Sequence, residues 1–450
     1  MTGGRVADAL ISPDTALATI LAAIAGPTEP EWVHLADSLG RVIAEDLAAT
    51  TDLPPWDNSA MDGYALRHGD VAAATEATPV VLEVVGDVAA GVRSAAQLRR
   101  GTAIRIATGA GVPQDADAVV AVEFTTPASP DGRPAGARGR DATGPLPTHI
   151  LVHAAVPAGG SIRRRASDLH ANAIVLTAGT TVSPAGVAIA AGTGHAGVRV
   201  HRQPVVGIMA TGDEIREPGS DLGVAGIPDA NGPALRALVD DAGGDPRSLG
   251  VARDRIDDVR ARLCAGLAEQ PDAIIVSGGV SVGPYDHVRA AFAEIGTVDL
   301  WRVAVQPGKP FAFGTAPRAG GGAPVLLFGL PGNPVSTFVT FELFVRPALR
   351  RLAGLERTGR PVDRAVLLDE TPKGPGRRAF VRVRAARDER GTPRRDRDGR
   401  ALVRLAGGVQ GQGSHVLSAL AAAEGLAVIP EDVTVHPAGG EVELWWLDRA

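Results

Sequence analysis

Between residues 204 and 330 strand-like and helix-like segments alternate: "PVVGIMAT", "NGPALRALVDDAG", "DPRSLGV", "DDVRARLCAGLAE", "DAIIVS", "DHVRAAFAEIG" and "PVLLFGL". Each helical run carries the chain back before the next strand begins, so neighbouring strands lie mostly parallel, with helices covering both faces. Ligands of such sheets bind beyond the C-terminal ends of the strands. Three turn-rich loops stand at those ends, "TGDEI" at 211–215, "SGGVSVGPYD" at 277–286 and "GLPGNPVS" at 329–336, and one pocket can hold all three. A long helix, "PVSTFVTFELFVRPALRRLAG", closes the unit, with Phe338, Phe341 and Val345 on its apolar face.

At 450 residues the chain exceeds the size at which one core keeps growing, and its 56 glycines and 34 prolines predict many short elements. Residues 1 to about 50 read as helices, the first opened by Ser12 as N-cap and Pro13 in the first turn. From "TDLPPWDNSAMDGYAL" to "AVEFTT" the runs are short and β-branched, and 127–147 is a Pro/Gly/Ala/Arg-rich surface loop. Residues 360 to 450 return to short strands, a small β-barrel or sandwich. The expected fold class is therefore multidomain α/β plus β. An elongated helical and β arm comprises 1–55 and 148–200, with an inserted β-rich module at 56–147. A three-layer α/β domain follows at 201–356, and a small β-barrel domain at 360–450.

Composition excludes several functions. Net charge is −6 and aromatics are 4%, which leaves neither a basic stripe nor a stacking platform for nucleic acid. No apolar run reaches the length of a membrane span, and the acidic residues Asp8 and Asp14 before the first apolar run argue against a secretory signal. A single cysteine, Cys264, suits a reducing cytoplasm. Lysine occurs only at Lys309 and Lys373, leaving 43 arginines, so Lys309 marks a place where arginine will not serve, unless it survives by chance.

The loops carry the chemistry. Gly278, Gly279 and Gly283 supply a turn with exposed amides, and Ser277 and Ser281 add hydroxyl donors, the usual cradle for a phosphate. Asp286 at the next helix start is either a cap or a grip on a ring edge with two N–H donors, as in a pterin or guanine. In "LPGNPVS", Pro331 and Pro334 stiffen the turn, Gly332 permits close approach, and Asn333 and Ser336 are neutral donors. Pro307 and Gly308 hold Lys309 on a stiff turn, aimed at an oxyanion. Glu214 stands beside Thr211 and Asp213, and carboxylates near phosphate imply Mg2+. Asp62 precedes a glycine in the β-rich module. Arg163, Arg164 and Arg165 precede Asp168, as a solvated loop or an oxyanion gate. No Ser/His/Asp or cysteine nucleophile arrangement is visible, so positioning and electrostatics carry the rate.

"NSAMDGYA", "IRIATGA", "TGDEI", "SGGVSVGPYD", "QPGKPFAFG" and "GLPGNPVS", in this order, resemble the molybdopterin molybdenumtransferase family from about residue 12 to the C-terminus. The resemblance implies insertion of molybdate into adenylylated molybdopterin with release of AMP, by a Mg2+-dependent cytoplasmic homodimer of four domains, the third binding the pterin. Transient contact with the adenylyltransferase and with molybdoenzymes is a further implication. Asp62, Thr108, Asp168, Glu214, Asp286 and Lys309 fall on family functional positions, as does Ser414 in "GSHVLS", and Glu214 and Asp286 are the implied metal ligands. The chain departs from the family at Gln306 (often lysine), at Ala166 and Ser167 (often Gly-Glu) and at Glu424 (often asparagine). Adenylyl transfer to the pterin and a non-catalytic scaffold role, as in gephyrin, stand as alternatives. The dimer expectation also rests on residues, since Leu17, Ile20, Leu21 and Ile24 form an apolar face suited to a twofold mate.

Overall fold

The computed structural model describes residues 10–92, 97–139, 144–280, 287–298 and 300–447. The alternating segment forms a six-stranded sheet in the order Asp245–Ala252, Val205–Thr211, Ala273–Ser277, Val325–Leu330, Pro310–Ala316, Leu300–Arg302. The first four strands are parallel, and the two remaining pairings are antiparallel, so only Pro310–Ala316 runs against the rest. Ala273–Ser277 and Val325–Leu330 are buried along their whole length, which is why they read as unbroken apolar runs. Ile208, Leu235, Phe328 and Phe344 pack in one helix-covered core, and Met209, Leu263, Phe292 and Leu327 in the other.

The closing helix runs as Pro334–Thr340, a π turn Phe341–Val345, and Arg346–Leu352. Pro347 lacks the amide that an α-helix needs there, and the wider turn just before it absorbs the break. Phe341 and Val345 are buried and Phe338 is partly so. Beside this helix, Arg360 donates to both oxygens of the buried Glu342 at 2.9 Å and to Asp241 at 2.9 Å, so the buried carboxylate is paired.

The arm differs from expectation. Its first helix, Pro13–Ala22, starts as predicted, with Ser12 accepting from the Thr15 amide at 3.1 Å. The rest of the first fifty residues is mostly strands and turns: Pro30–His34 pairs with Gly197–His201, and Leu47–Ala48 with Ile174–Leu176. Nor is the helix's apolar face open to a mate. Ile20 and Ile24 are buried in the α/β core, with Leu17 and Leu21 packed against it, because the π turn and Arg346–Leu352 offer an apolar surface within the same chain.

The β-rich module is a six-stranded sheet ordered Ala118–Ala121, Gly63–Leu66, Thr102–Ile106, Val80–Val88, His149–Val152, Thr125–Ala128. His149–Val152 pairs on both sides, so this sheet continues past residue 147, where the sequence reading closed the module. Part of the loop expected at 127–147 is structured: Thr125–Ala128 is a strand, and Arg138 holds Glu76 through two 2.8 Å bonds. At the C-terminus, Arg378–Ala385 pairs with both Ala401–Leu405 and Gly425–Ile429, which closes a small barrel. Val305–Gln306 pairs with Arg378 and Ala379 and ties the barrel to the α/β domain. Among the described residues no helix is long and apolar enough to cross a membrane.

Two local features generate stability predictions. Lys373 is 9% exposed, and its ammonium donates to the carbonyls of Arg377 at 2.8 Å and of Gly374 and Glu431 at 3.2 Å. Burial holds its pKa below the ordinary lysine value. A planar guanidinium cannot converge on three carbonyls in this way, so Lys373→Arg is expected to lower stability by about 1 to 3 kcal/mol. An unchanged urea midpoint would refute this. Ala166 adopts φ +58. The left-handed conformation costs an alanine about 1 to 2 kcal/mol, while glycine loosens the unfolded chain by about 0.4 to 1 kcal/mol. Ala166→Gly is therefore expected to stabilise by roughly 0.5 to 1 kcal/mol, seen as a raised midpoint in the same titration. A lowered midpoint would show that the strain is relieved elsewhere.

Candidate functional site

Ala210 pairs with Ser277, and Ser277 with Leu330, so three parallel strands end level and their loops leave the sheet side by side. Those loops line a cavity of about 710 Å3, with Thr211, Ser277, Gly278, Gly279, Pro331, Gly332, Asn333 and Ser336 all on its wall. Gly278 and Gly279 have φ of +96 and +65, and a Cβ added to either would lie 2.7 or 3.0 Å from the Thr211 hydroxyl. That hydroxyl is buried and has no partner among the described residues. An unsatisfied buried donor beside two side-chain-free residues is an unfavourable arrangement unless a ligand completes it.

The loops are tied to one another. Asn231, at the start of helix Asn231–Asp241, donates through Nδ2 to Ser277 Oγ at 2.7 Å and to the Gly332 carbonyl at 2.8 Å. Asn333 Nδ2 donates to Ser414 Oγ at 3.1 Å, which brings the barrel's "GSH" turn to the cavity, where His415 joins the wall. That turn rests on Arg382, which is fully buried and donates to the carbonyls of Gly411 at 2.6 Å and Gly413 at 3.1 Å. Burial without a carboxylate pushes the guanidinium down to about 10.

Acidic groups face the same space. Glu214 lines it as expected, and so does Asp254, just past the end of the edge strand. Burial raises the Asp254 carboxyl above its ordinary pKa, and the charges of Glu214 and Asp213 raise it further. Among the described residues no group of three or more His, Cys, Asp or Glu side chains forms a ready cation site. Ser281, Gly283 and Asp286 lie outside the described residues. Sequence reasoning missed Asp254, Asp229, Asn231 and His415. Asp254 was findable, since it follows the C-terminal end of a recognised strand. Asn231 and His415 gave no signal, because their place at the cavity depends on tertiary packing.

Other expected residues lie apart from this wall. Gly308, with φ +112, packs where a Cβ would meet Thr340 at 2.6 Å, and Pro307 precedes it. Lys309 is exposed beside Pro310, which lines the cavity. Asp62, Thr108, Arg163, Arg164 and Asp168 do not line it. Asp62 and Thr108 do meet: one Asp62 oxygen accepts from the Thr108 amide at 2.7 Å and its hydroxyl at 2.9 Å. Arg164 pairs with Asp57 at 2.7 Å and Arg165 with Asp52, while Arg163 and Asp168 are exposed. The other two departures from the family differ in how they are partnered. Glu424 pairs with Arg387 and accepts from the Ala385 amide at 2.6 Å, whereas Gln306 Oε1 is buried without a partner among the described residues.

Comparison with known proteins agrees with this architecture. Residues 11–194 match the MoeA N-terminal region (domain I and II), 207–351 the probable molybdopterin binding domain, and 364–447 the MoeA C-terminal region (domain IV). Molybdopterin molybdenumtransferase 2 of Mycobacterium tuberculosis is 37% identical over 427 residues, covering 93% of this chain and 95% of that protein. Molybdopterin molybdenumtransferase of Bacillus subtilis is 35% identical over 356 residues, covering 79% and 78%. The crystal structure of a molybdopterin biosynthesis MoeA protein from Pyrococcus horikoshii superposes with a TM-score of 0.73 at 28% identity, covering 97% of this chain and all of that one. Full-length similarity of this extent, on a fold that brings the motif loops to one cavity, shows that the chain belongs to the molybdopterin molybdenumtransferase family.

Proposed function

We propose that the protein inserts molybdate into adenylylated molybdopterin, releasing AMP and completing the molybdenum cofactor. The observation that carries this reading is the unpartnered Thr211 hydroxyl between Gly278 and Gly279, in the same cavity as Glu214 and Asp254. Buried donors and bare backbone suit phosphate oxygens, and the carboxylates suit ring N–H groups or a cation. Glu214 and Asp254 are oxygen donors that Mg2+ fits and would hold it, with Asp286 the further ligand that the family resemblance implies, and it would supply neutralisation of the pyrophosphate. Ser277, Asn333 and Ser336 orient the phosphorylated pterin, and the stiff prolines keep the cradle narrow. Lys309 and the Ser414 turn supply charge and donors for molybdate, and Arg163 adds charge only where a second copy brings it to the cavity. Positioning and electrostatics then account for the rate.

Asp62 and Thr108 belong to the reaction if a second copy brings them to the cavity. The reading is therefore a homodimer with composite sites, in a reducing cytoplasm that suits the exposed thiol of Cys264. Transient contact with the adenylyltransferase upstream and with molybdoenzymes downstream follows from the chemistry of substrate and product.

AMP release from adenylylated molybdopterin, measured with and without molybdate, tests the activity. ATP-dependent adenylylation would point to adenylyl transfer, and absence of turnover in an intact dimer to a gephyrin-like scaffold. Asp62→Asn keeps an oxygen for Thr108 while removing the charge. It should change stability by only about 0.5 kcal/mol or less and lower turnover by about 10²-fold or more if the carboxylate moves a proton. Wild-type turnover of this variant would remove Asp62 from the reaction. Co-expression of Asp62→Asn with Glu214→Gln, each impaired alone, should restore about a quarter of wild-type activity, since half the dimers then hold one intact composite site. No restoration would place both residues in sites within one chain.

A further inference from the structure

Asp229 Oδ1 accepts from the amides of Asn231 at 3.0 Å and Gly232 at 2.9 Å, and so sets the start of helix Asn231–Asp241. From that anchored position both Nδ2 hydrogens of Asn231 reach across the cavity wall, one to Ser277 Oγ and one to the Gly332 carbonyl. A carbonyl can only accept, so the amide presents its nitrogen to the loops and its orientation is determined. Ser277 and Gly332 belong to loops that follow neighbouring parallel strands. Their last ladder-like bond runs from the Gly278 amide to the Leu330 carbonyl at 3.0 Å. Beyond it the direct side-chain link, Ser277 Oγ to the Pro331 carbonyl, is 3.5 Å, at the limit of a hydrogen bond. The loops nevertheless pass closely, since a Cβ on Gly332 would lie 3.7 Å from Gly278 Cα.

We propose that Asn231 is a positioning residue that holds the Ser277–Val280 and Pro331–Asn333 loops as one preformed cradle for the phosphorylated substrate. This deepens the function proposed above and rests on it for the identity of that substrate. Glycines at φ +96 and +65 give the first loop many alternative conformations. Without the tie the competent arrangement is one of several, and apparent affinity falls by the fraction of molecules that hold it. Once substrate is bound, the cradle is the same in wild type and variant. The effect therefore falls on KM and leaves kcat in place.

Three measurements test this on the full-length protein. Hydrogen exchange needs no substrate: in Asn231→Ala the amides of Gly278 and Val335 should exchange at least about 10-fold faster at an unchanged melting temperature. With adenylylated molybdopterin, KM for Asn231→Ala should rise about 10- to 100-fold with kcat within about twofold, as expected for the loss of two ordinary hydrogen bonds that preorganise a site. Asn231→Asp can donate to the Gly332 carbonyl only when protonated, so its affinity relative to wild type should recover as pH falls through the carboxylate range. The ratio for Asn231→Ala should stay flat. Asp229, Glu214, Asp254 and His415 line the same cavity in all three proteins, so the ratio to wild type isolates position 231. Unchanged exchange at Gly278 and Val335, or a loss confined to kcat, would overturn the proposal. Failure of the wild type to turn over adenylylated molybdopterin would instead sink the proposed function, with the exchange measurement still deciding the role of Asn231.

Discussion

The level ending of three parallel strands is the constraint on which the site depends. Ala210, Ser277 and Leu330 lie in register across the sheet, so each strand hands over to its loop at the same height. The register is held by complete burial of Ala273–Ser277 and Val325–Leu330, since a slip of one residue would exchange the side chains facing two different helix-covered cores. Below the sheet, the buried Asp272 carboxylate accepts from Arg202 at 2.8 and 3.0 Å, from Arg318 at 3.0 Å and from the Val205 amide at 2.7 Å. This clamp holds the start of Val205–Thr211 against the start of Ala273–Ser277. The N-terminal ends carry the paired charges, which leaves the C-terminal ends free to carry bare backbone and unsatisfied donors.

The cavity wall is not built by the α/β domain alone. Arg382 in the barrel holds the turn that brings Ser414 to Asn333, and Val305–Gln306 adds a strand to the barrel from within the α/β segment. A fully buried guanidinium whose hydrogen-bond partners are carbonyls, with Nε left without one among the described residues, is less favourable than one with a carboxylate partner, and burial lowers its pKa. What it supports is a rigid turn whose hydroxyl and imidazole reach a neighbouring domain. The barrel is thus a structural part of the pocket, to which it contributes the "GSH" turn.

Much of this was legible in the sequence, for physical reasons. The α/β domain announced itself because buried parallel strands must be apolar throughout and their helices must be amphipathic. Ser12 and Pro13 marked a helix start because capping chemistry is local. The arm was misread for the complementary reason. Leu17, Ile20, Leu21 and Ile24 form an apolar face whatever covers them, and only the tertiary structure shows that the covering surface is the helix around Phe344 in the same chain. His149–Val152 could not be assigned to a sheet from its own residues, since the choice lay in its partners, Val80–Val88 and Thr125–Ala128. At the site, glycines and prolines showed where the backbone must turn closely, but the side chain that ties those turns, Asn231, looked like any helix-start residue.

The two lysines show how far composition can carry an argument. In a chain that otherwise uses arginine, a lysine is informative where its compact ammonium meets a geometry the planar fork cannot satisfy. Lys373 meets three convergent carbonyls in a nearly closed space, so its identity follows from the folded structure. Lys309 stands exposed at the rim next to Pro310, with no such enclosure. Any requirement for lysine there comes from what occupies the cavity, because among the described residues no side-chain partner of Lys309 imposes one. Rarity drew attention to Lys309 and not to Lys373, because composition cannot distinguish a constraint met within the chain from one met only with substrate bound.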